Sequence, residues 1–240
     1  MSAARRVLLT NDDGIEAPGL AALARALERH PDLELWTVAP DRERSACSHG
    51  LTLDRPVRAT AAGERRFAVD GLPADCVYLA MFGLLPGRPA VVVSGINAGP
   101  NLGQDVIYSG TVAGAREAAV RGAHGLAVSL VEGDAFDAVA DHTAALALEM
   151  AGATGDAPLL LNVNYPGGAF SGLRLAPLGS RSYPECVSES PGERPGERAF
   201  RLGGPPVTDR RVPGTDGWLV GRGVASATAL TLQQTDVAAL

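Results

Sequence analysis

The sequence predicts an α/β protein in which a Rossmann-like parallel sheet is flanked by helices and followed by a C-terminal β-rich extended arm. Short apolar runs of strand length alternate with segments whose apolar residues recur at helical spacing, from residue 7 to residue 164. Polar stretches rich in Gly, Asn, Asp and Ser follow three of these runs, at 11–14, 41–50 and 94–103, where an open α/β sheet places its ligand-binding loops. After residue 180 the character changes: residues 181–217 are rich in Pro, Gly, Arg, Glu and Ser, with a tandem PGER-PGER repeat at 191–198. The expected division is a catalytic domain over 1–180 and an oligomerisation arm with returning strands over 181–240.

The elements follow in order. Residues 7–10 (VLLT) form the first strand, and Asn11-Asp12-Asp13-Gly14 the turn that ends it. Pro18 suits a first helical turn, Leu20, Leu23 and Leu27 share one face, and Pro31 stops the helix. Residues 33–40 (LELWTVAP) give a second strand, completing a right-handed βαβ unit. Residues 51–69 hold two short stretches, LTL at 51–53 and RFAV at 66–69, and predict a hairpin. Gly71-Leu72-Pro73-Ala74-Asp75 opens a helix with Val77, Tyr78, Met81 and Phe82 on its core side. The wholly apolar run 90–93 is a central strand, followed by the glycine-rich loop 94–103, stiffened by Pro100. Ser109 or Thr111 caps an Ala-rich helix over 112–121. A strand at 125–130, a helix at 136–150 and a strand at 159–164 complete the domain. In the arm, 218–220 (WLV) and 224–232 (VASATALTL) read as returning strands.

Composition narrows the function. In 240 residues, 46% are hydrophobic and 20% charged, which supports a sizeable core and excludes a disordered chain. A net charge of -6 argues against binding nucleic-acid polymers through their phosphates. Cys47, Cys76 and Cys186 have no metal-type spacing and fit a reduced, cytoplasmic protein. The apolar stretch after Arg5 and Arg6 is too short for a signal peptide, and no run approaches a membrane span.

Adjacent carboxylates at a strand end, here Asp12 and Asp13, repel unless something positive sits close to both. A divalent cation is the simplest such partner, and carboxylate oxygens suit Mg²⁺ or Mn²⁺. The plain alternative is a solvated turn, since Asn, Asp and Gly all favour turns. In the second loop, Ser45 and Ser48 can add hydroxyl oxygens to a hard cation's shell. His49 is a candidate acid or base, and Arg42 and Glu43 read as solvated charges. Asn97 and Asn101 offer carbonyl oxygens to a metal or amide donors to an anion. The helix N-terminus beyond Ser109 favours an anion. Neither the lysine-containing phosphate loop nor the dinucleotide fingerprint is present. The sum is a cation site beside an anion site, most simply a metal and a phosphate.

The segments TNDDGIEAPGL, VAPDRERSA, GLPADCVYLA and VVSGINAGPNLGQDVIYSGTVAGAREAA, in that order, resemble the motifs of the SurE family of survival proteins over residues 5–180. The resemblance implies a divalent-metal-dependent 5′/3′-nucleotidase acting on nucleoside monophosphates, some members also cleaving short polyphosphate. It implies metal ligands at Asp12, Asp13, Ser45 and Asn97, with Asp12 and Asp13 catalytic. It places Asn101, Ser109, Gly110 and Thr111 on the phosphate side. It further implies a swapped C-terminal arm and a homodimer or homotetramer. The chain departs from the family at Leu72, where Thr is usual, at Ala229, where Pro is usual, and at 199–202, where an aromatic Tyr-Trp pair is usual. Two other readings use the same residues. A Ca²⁺-dependent nucleoside hydrolase would normally need Asp-x-Asp-x-x-x-Asp-Asp, and only the adjacent pair exists. A non-catalytic nucleotide sensor would keep the glycine loops without needing Asp12-Asp13.

Overall fold

The computed structural model describes residues 5–155, 157–183, 187–194, 196–202, 208–210, 212–233 and 235. β1 (Arg5–Thr10) leads into α1 (Pro18–Glu28), and β2 (Leu33–Pro40) lies parallel to β1. Pro18 sits in the first turn of α1, where its missing N–H costs nothing. β3 (Ala59–Gly63) and β4 (Arg66–Val69) pair antiparallel as a hairpin. The first strand of that hairpin is therefore not the LTL at 51–53. Thr52 instead gives its N–H and hydroxyl to the Asp75 carboxylate, at 2.8 and 2.6 Å. α2 (Pro73–Leu79) continues into a π-turn over Ala80–Leu84. β5 (Val91–Ala98) is followed by a 3₁₀ turn, Gly103–Ile107, and α3 (Gly110–Val120). Then come β6 (His124–Leu130), α4 (Phe136–Ala151) and β7 (Leu160–Tyr165). The remainder holds β8 (Leu173–Leu175), β9 (Ser180–Ser182), β10 (Val187–Pro191), β11 (Arg198–Leu202), β12 (Thr208–Arg210), α5 (Asp216–Val220) and β13 (Ala225–Ala229).

Nine strands share one sheet in the order β3-β4-β2-β1-β5-β6-β7-β13-β8. β4, β2, β1, β5, β6 and β7 run parallel. From β1 the chain builds outward through β2 to β4; from β5 it builds the other way to β7. The crevice of a doubly wound sheet opens at this switch point, between the carboxyl ends of β1 and β5. β1 alternates as a strand must: Val7 and Leu9 pack with Leu20, Leu23 and Leu27 of α1, while Leu8 faces Cys76, Val77 and Ala80 of the α2 segment. Both sheet faces are covered, which is why β1 and β5 read as continuous apolar runs.

Three expectations give way to the structure. Tyr78 and Phe82 are exposed rather than core. The buried stripe is Pro73, Cys76, Val77, Ala80 and Met81, so these two rings lie one position further round the helix. They tilt against each other at 4.9 Å, and the Arg121 guanidinium covers Tyr78 at 4.8 Å. Residues 218–220 are not a strand but part of α5, which has Asp216 in its first turn and Gly221 at its C-cap. Finally, the predicted loop at 94–98 belongs to β5: after a register shift beyond Ser94, Asn97 and Ala98 pair with Ser129 and Leu130 of β6. Asn97 therefore stands on a strand end rather than in a loop.

β13 completes its own chain's sheet, antiparallel to β7 and parallel to β8. β10 and β11 form a separate two-stranded ribbon with the PGER repeat at its tip, and β9 pairs with β12. The carboxylate of Asp216, 1% exposed, accepts the N–H groups of Gly103 and Gly179 at 2.9 and 2.6 Å, fastening the start of the arm beside the β5–α3 connection. Cys47 and Cys76 are free thiols; Cys186 lies outside the described residues. Among the described residues, no helix is long and apolar enough to cross a membrane.

Candidate active site

The turn after β1 closes on itself. The buried Asn11 side chain donates to the Gly14 carbonyl at 2.8 Å and accepts the Gly14 N–H at 3.2 Å. Gly14 has φ +105°, a conformation costly for any residue with a Cβ. The Asp12 carbonyl takes the Arg44 N–H at 2.7 Å, tying this turn to the loop after β2. Asp12 is only 4% exposed, so a freely solvated turn is excluded.

The N-terminus of α3 abuts Asp12. Ser109 caps the helix, its Oγ accepting the Val112 N–H at 3.0 Å. The Thr111 hydroxyl donates to Asp12 Oδ1 at 2.6 Å and accepts from Asn101 Nδ2 at 3.3 Å. Asn101 is itself pinned: Nδ2 donates to Ser129 Oγ at 2.7 Å, and its N–H donates to Asn164 Oδ1 at 2.8 Å. Gly110 leaves room for this approach, since a Cβ there would fall 2.8 Å from both Asp12 Cβ and Cys47 Sγ. Burial pushes the Asp12 carboxyl up to about 6, with the Asp13 charge adding to the rise; hydrogen bonds from Thr111 act in the opposite direction. Asp13 is also raised, mainly by burial, with the Glu43 charge adding and the Ala98 N–H, at 3.3 Å, opposing.

These groups open onto a cleft of about 310 Å³. Asp12, Asp13, Ser45, Asn97, Asn101 and Ser109 line it together, although they come from four separate segments of the sequence. Gly110 and Thr111 are buried behind the wall, where they hold Asp12. His49 does not line the cleft; its Nε2 sits 2.9 Å from Glu117 Oε2. Glu43 is exposed, as expected of a solvated charge, and it also lines the cleft, where it accepts the Ser45 hydroxyl at 2.8 Å. Asp105, Tyr108 and Tyr183 line it as well; Asp105 and Tyr108 lie within the fourth motif but were given no role, and Tyr183 lies outside all four. Tyr183 reaches across 78 positions of sequence to donate to Asp105 Oδ1 at 2.5 Å, and Arg181 pairs with the same carboxylate. No local pattern could have announced that contact.

Among the described residues, no group of three or more His, Cys, Asp or Glu is arranged to hold a metal. The donor set on offer is different: two carboxylates, a hydroxyl and an amide carbonyl, all oxygen, as a hard cation prefers. The nearby arginines are already paired with other carboxylates: Arg44 with Asp41, and Arg181 with Asp105 on the cleft wall. Asp12, buried, and Asp13, half-buried, are crowded carboxylates pushed toward protonation, a condition that a bound cation relieves. The residues fit Mg²⁺ or Mn²⁺.

Fold and cleft together define a Rossmann-like α/β protein with an acidic, oxygen-lined site at its sheet's switch point. The model of the family described as "Survival protein SurE" matches residues 7–185, and the chain belongs to that family. It is 48% identical over 240 residues to the Anaeromyxobacter sp. (strain Fw109-5) protein named 5′-nucleotidase SurE, a match covering 98% of this chain and 93% of the other. A protein of the same name from Syntrophotalea carbinolica is 44% identical over 235 residues, covering 96% and 92%. The crystal structure of the SurE protein from Aquifex aeolicus matches with a TM-score of 0.83 at 32% identity, covering 98% of this chain and 96% of that one.

Asp12 yields a prediction for the metal-free protein. Its folded-state pKa of about 6 lies above the ordinary 3.8, so its stabilising contribution is complete below the lower value and is lost as pH rises through the higher one. Ionisation above that window costs about 3 kcal/mol. Asp12→Asn keeps an acceptor for Thr111 and removes the charge. In urea unfolding with excess chelator, the variant should be the more stable protein near pH 8, by up to about 3 kcal/mol, and the difference should vanish near pH 4. A variant less stable than wild type at both pH values would show that the Asp12 charge is not strained.

Proposed function

We propose that this chain is a divalent-metal-dependent phosphatase that hydrolyses nucleoside 5′-monophosphates to nucleoside and phosphate. The observation that carries the reading is the adjacent Asp12-Asp13 pair at the switch point, Asp12 buried and Asp13 half-buried, in one cleft with Ser45 and Asn97. The relatives named 5′-nucleotidase supply the substrate class. By family resemblance the activity extends to 3′-monophosphates and short polyphosphate.

In this mechanism Asp12, Asp13, Ser45 and Asn97 hold Mg²⁺ or Mn²⁺. The cation, when bound, neutralises phosphoryl oxygens and lowers the pKa of a coordinated water. Thr111 fixes the rotamer of Asp12 through its hydroxyl, so the carboxylate need not reorganise as charge develops. Asn97 donates its Nδ2 to the Gly99 carbonyl at 2.9 Å, which turns its own carbonyl oxygen into the ligand role. Ser109 lies along the same wall and takes the phosphate side; Asn101, whose Nδ2 is spent on Thr111 and Ser129, supports that side by holding Thr111. The Ser109 Oγ accepts from Val112, leaving its hydroxyl proton to donate.

The test is incubation of chelator-stripped protein with AMP, with and without Mn²⁺. Phosphate should appear only with metal, and Asp13→Asn should lower turnover by at least about 100-fold while the protein stays folded, since loss of a metal ligand exceeds the 10–100-fold cost of losing an outer partner. Release of free adenine would establish a nucleoside hydrolase instead. Binding without turnover would establish a sensor. Undiminished phosphate release in excess chelator would overturn metal dependence.

We also propose a homodimer or homotetramer built through the arm. On the β10–β11 ribbon, Val187 lies opposite Leu202 and Glu189 opposite Phe200, so Val187, Leu202 and Phe200 share one face and all are exposed. The same face carries the Glu189–Arg198 ion pair, with the Arg198 guanidinium 4.9 Å from the Phe200 ring centre; a two-stranded ribbon with these exposed apolar residues is marginal alone and is stabilised by a second copy. Light scattering should give a multiple of the 24.7 kDa chain mass, and the double substitution Val187→Glu and Leu202→Glu should reduce it to one chain. A wild-type protein that runs as a compact monomer contradicts this assembly.

A further inference from the structure

The loop after β2 carries Ser45, yet Ser45 has weak means of placing itself. It is exposed, and its described hydrogen bond goes to Glu43 of the same loop, at 2.8 Å. Two residues that follow it, Ala46 and Ser48, hold left-handed backbone conformations, with φ of 56° and 53°. Such conformations are unfavourable for residues with a Cβ and persist only where surrounding contacts over-determine them.

Those contacts lie at both ends of the loop. At one end the Arg44 N–H donates to the Asp12 carbonyl at 2.7 Å. At the other, Ser48 donates its N–H to Tyr108 at 2.9 Å and its hydroxyl to the Ile107 carbonyl at 2.7 Å. His49 follows directly, 2.9 Å from Glu117 Oε2. Glu117 is 2% exposed and sits on α3, the same helix whose N-terminus abuts Asp12. Its other oxygen accepts from Arg121 Nε at 2.7 Å, and Arg121 is laid over the Tyr78 ring. A buried carboxylate held this way is immobile, and exposing it or leaving it half-paired is costly. His49 is thereby fastened to a fixed point of the helix that also fixes Asp12.

We propose that His49 is a positioning residue: its pair with Glu117 latches the 41–50 loop onto α3 and so sets Ser45 beside Asp12 and Asp13 in the cation site. His49 acts through Ser45 and does not touch the reacting atoms. The inference rests on the cation reading of the cleft given above. Without the latch, the far end of the loop is held by the Ser48 bonds alone, and Ser45 is set less firmly beside Asp12 and Asp13. Asp12, on the end of β1, stays where Thr111 holds it.

The test is Mn²⁺ binding to chelator-stripped protein, read as free Mn²⁺ by electron paramagnetic resonance, alongside thermal melting. His49→Ala should raise the Mn²⁺ Kd about ten-fold, on the scale of losing an outer partner of a metal ligand. His49→Gln, whose amide can still reach Glu117, should recover to within about three-fold of wild type. Ser45→Ala should also weaken binding, and adding His49→Ala to it should weaken binding no further, because both act on one ligand. A merely structural role for His49 would shift melting but give multiplicative losses in the double variant, and that result overturns the latch. So does a folded His49→Ala protein with wild-type Mn²⁺ affinity. A wild-type protein that binds no Mn²⁺ overturns the cation reading and the latch with it; retained wild-type binding with an unaffected His49→Ala overturns the latch alone.

Discussion

A buried carboxylate, Asp12, is held against the N-terminus of α3 by the Thr111 hydroxyl at 2.6 Å. Burying an ionised carboxylate is unfavourable unless donors and positive potential meet it, and a helix N-terminus supplies both. The contact demands Gly110, because a side chain there would collide with Asp12 and Cys47. It demands the amide network of Asn101, Ser129 and Asn164, which orients Thr111 from behind. Through the Arg44 N–H it also locates the second loop. The helix dipole already faces an anion of the protein itself, so the cleft beyond is left with a net acidic wall of Asp12, Asp13 and Glu43 that suits a cation before it suits a phosphate.

Much of this was legible in the sequence, for physical reasons. Apolar runs such as 7–10 and 90–93 mark strands covered on both faces, and polar loops after parallel strands gather at one edge of the sheet whatever lies between them. That is why Asp12, Asp13, Ser45, Asn97, Asn101 and Ser109 meet in one cleft. The role of Thr111 was less visible: as part of a motif it suggests a phosphate contact, while its geometry shows a buried side chain serving Asp12. His49 was a candidate acid or base only because histidine is the commonest acid–base residue, a lone loop histidine being more often simply exposed; the fold brings it to Glu117, 68 positions away. Glu43 and Tyr183 were illegible for the same reason, since composition cannot say which way a loop charge turns or which distant segment forms a wall.

The C-terminal region shows where local pattern and tertiary demand part. Trp218-Leu219-Val220 has strand-like composition, but an acidic residue before it and Gly221 after it fit one helical turn better. β13 does behave as a strand and adds to its own sheet, with Ser226 opposite Asn164 next to the Asn101 network. β13, the last strand among the described residues, therefore supports the wall of the cleft. Tyr183, at the start of the arm, forms part of the wall itself. Arg181 and Tyr183 thus tie the segment after β8 to the cleft wall through Asp105.

The central claim, that the switch-point cleft holds one hard cation on oxygen ligands, is tested most directly by anomalous scattering from crystals of the protein soaked in Mn²⁺. A single manganese peak is expected in the cleft, with Asp12, Asp13, Ser45 and Asn97 as its protein ligands. A cleft without manganese, or a peak bound away from Asp12 and Asp13, contradicts it.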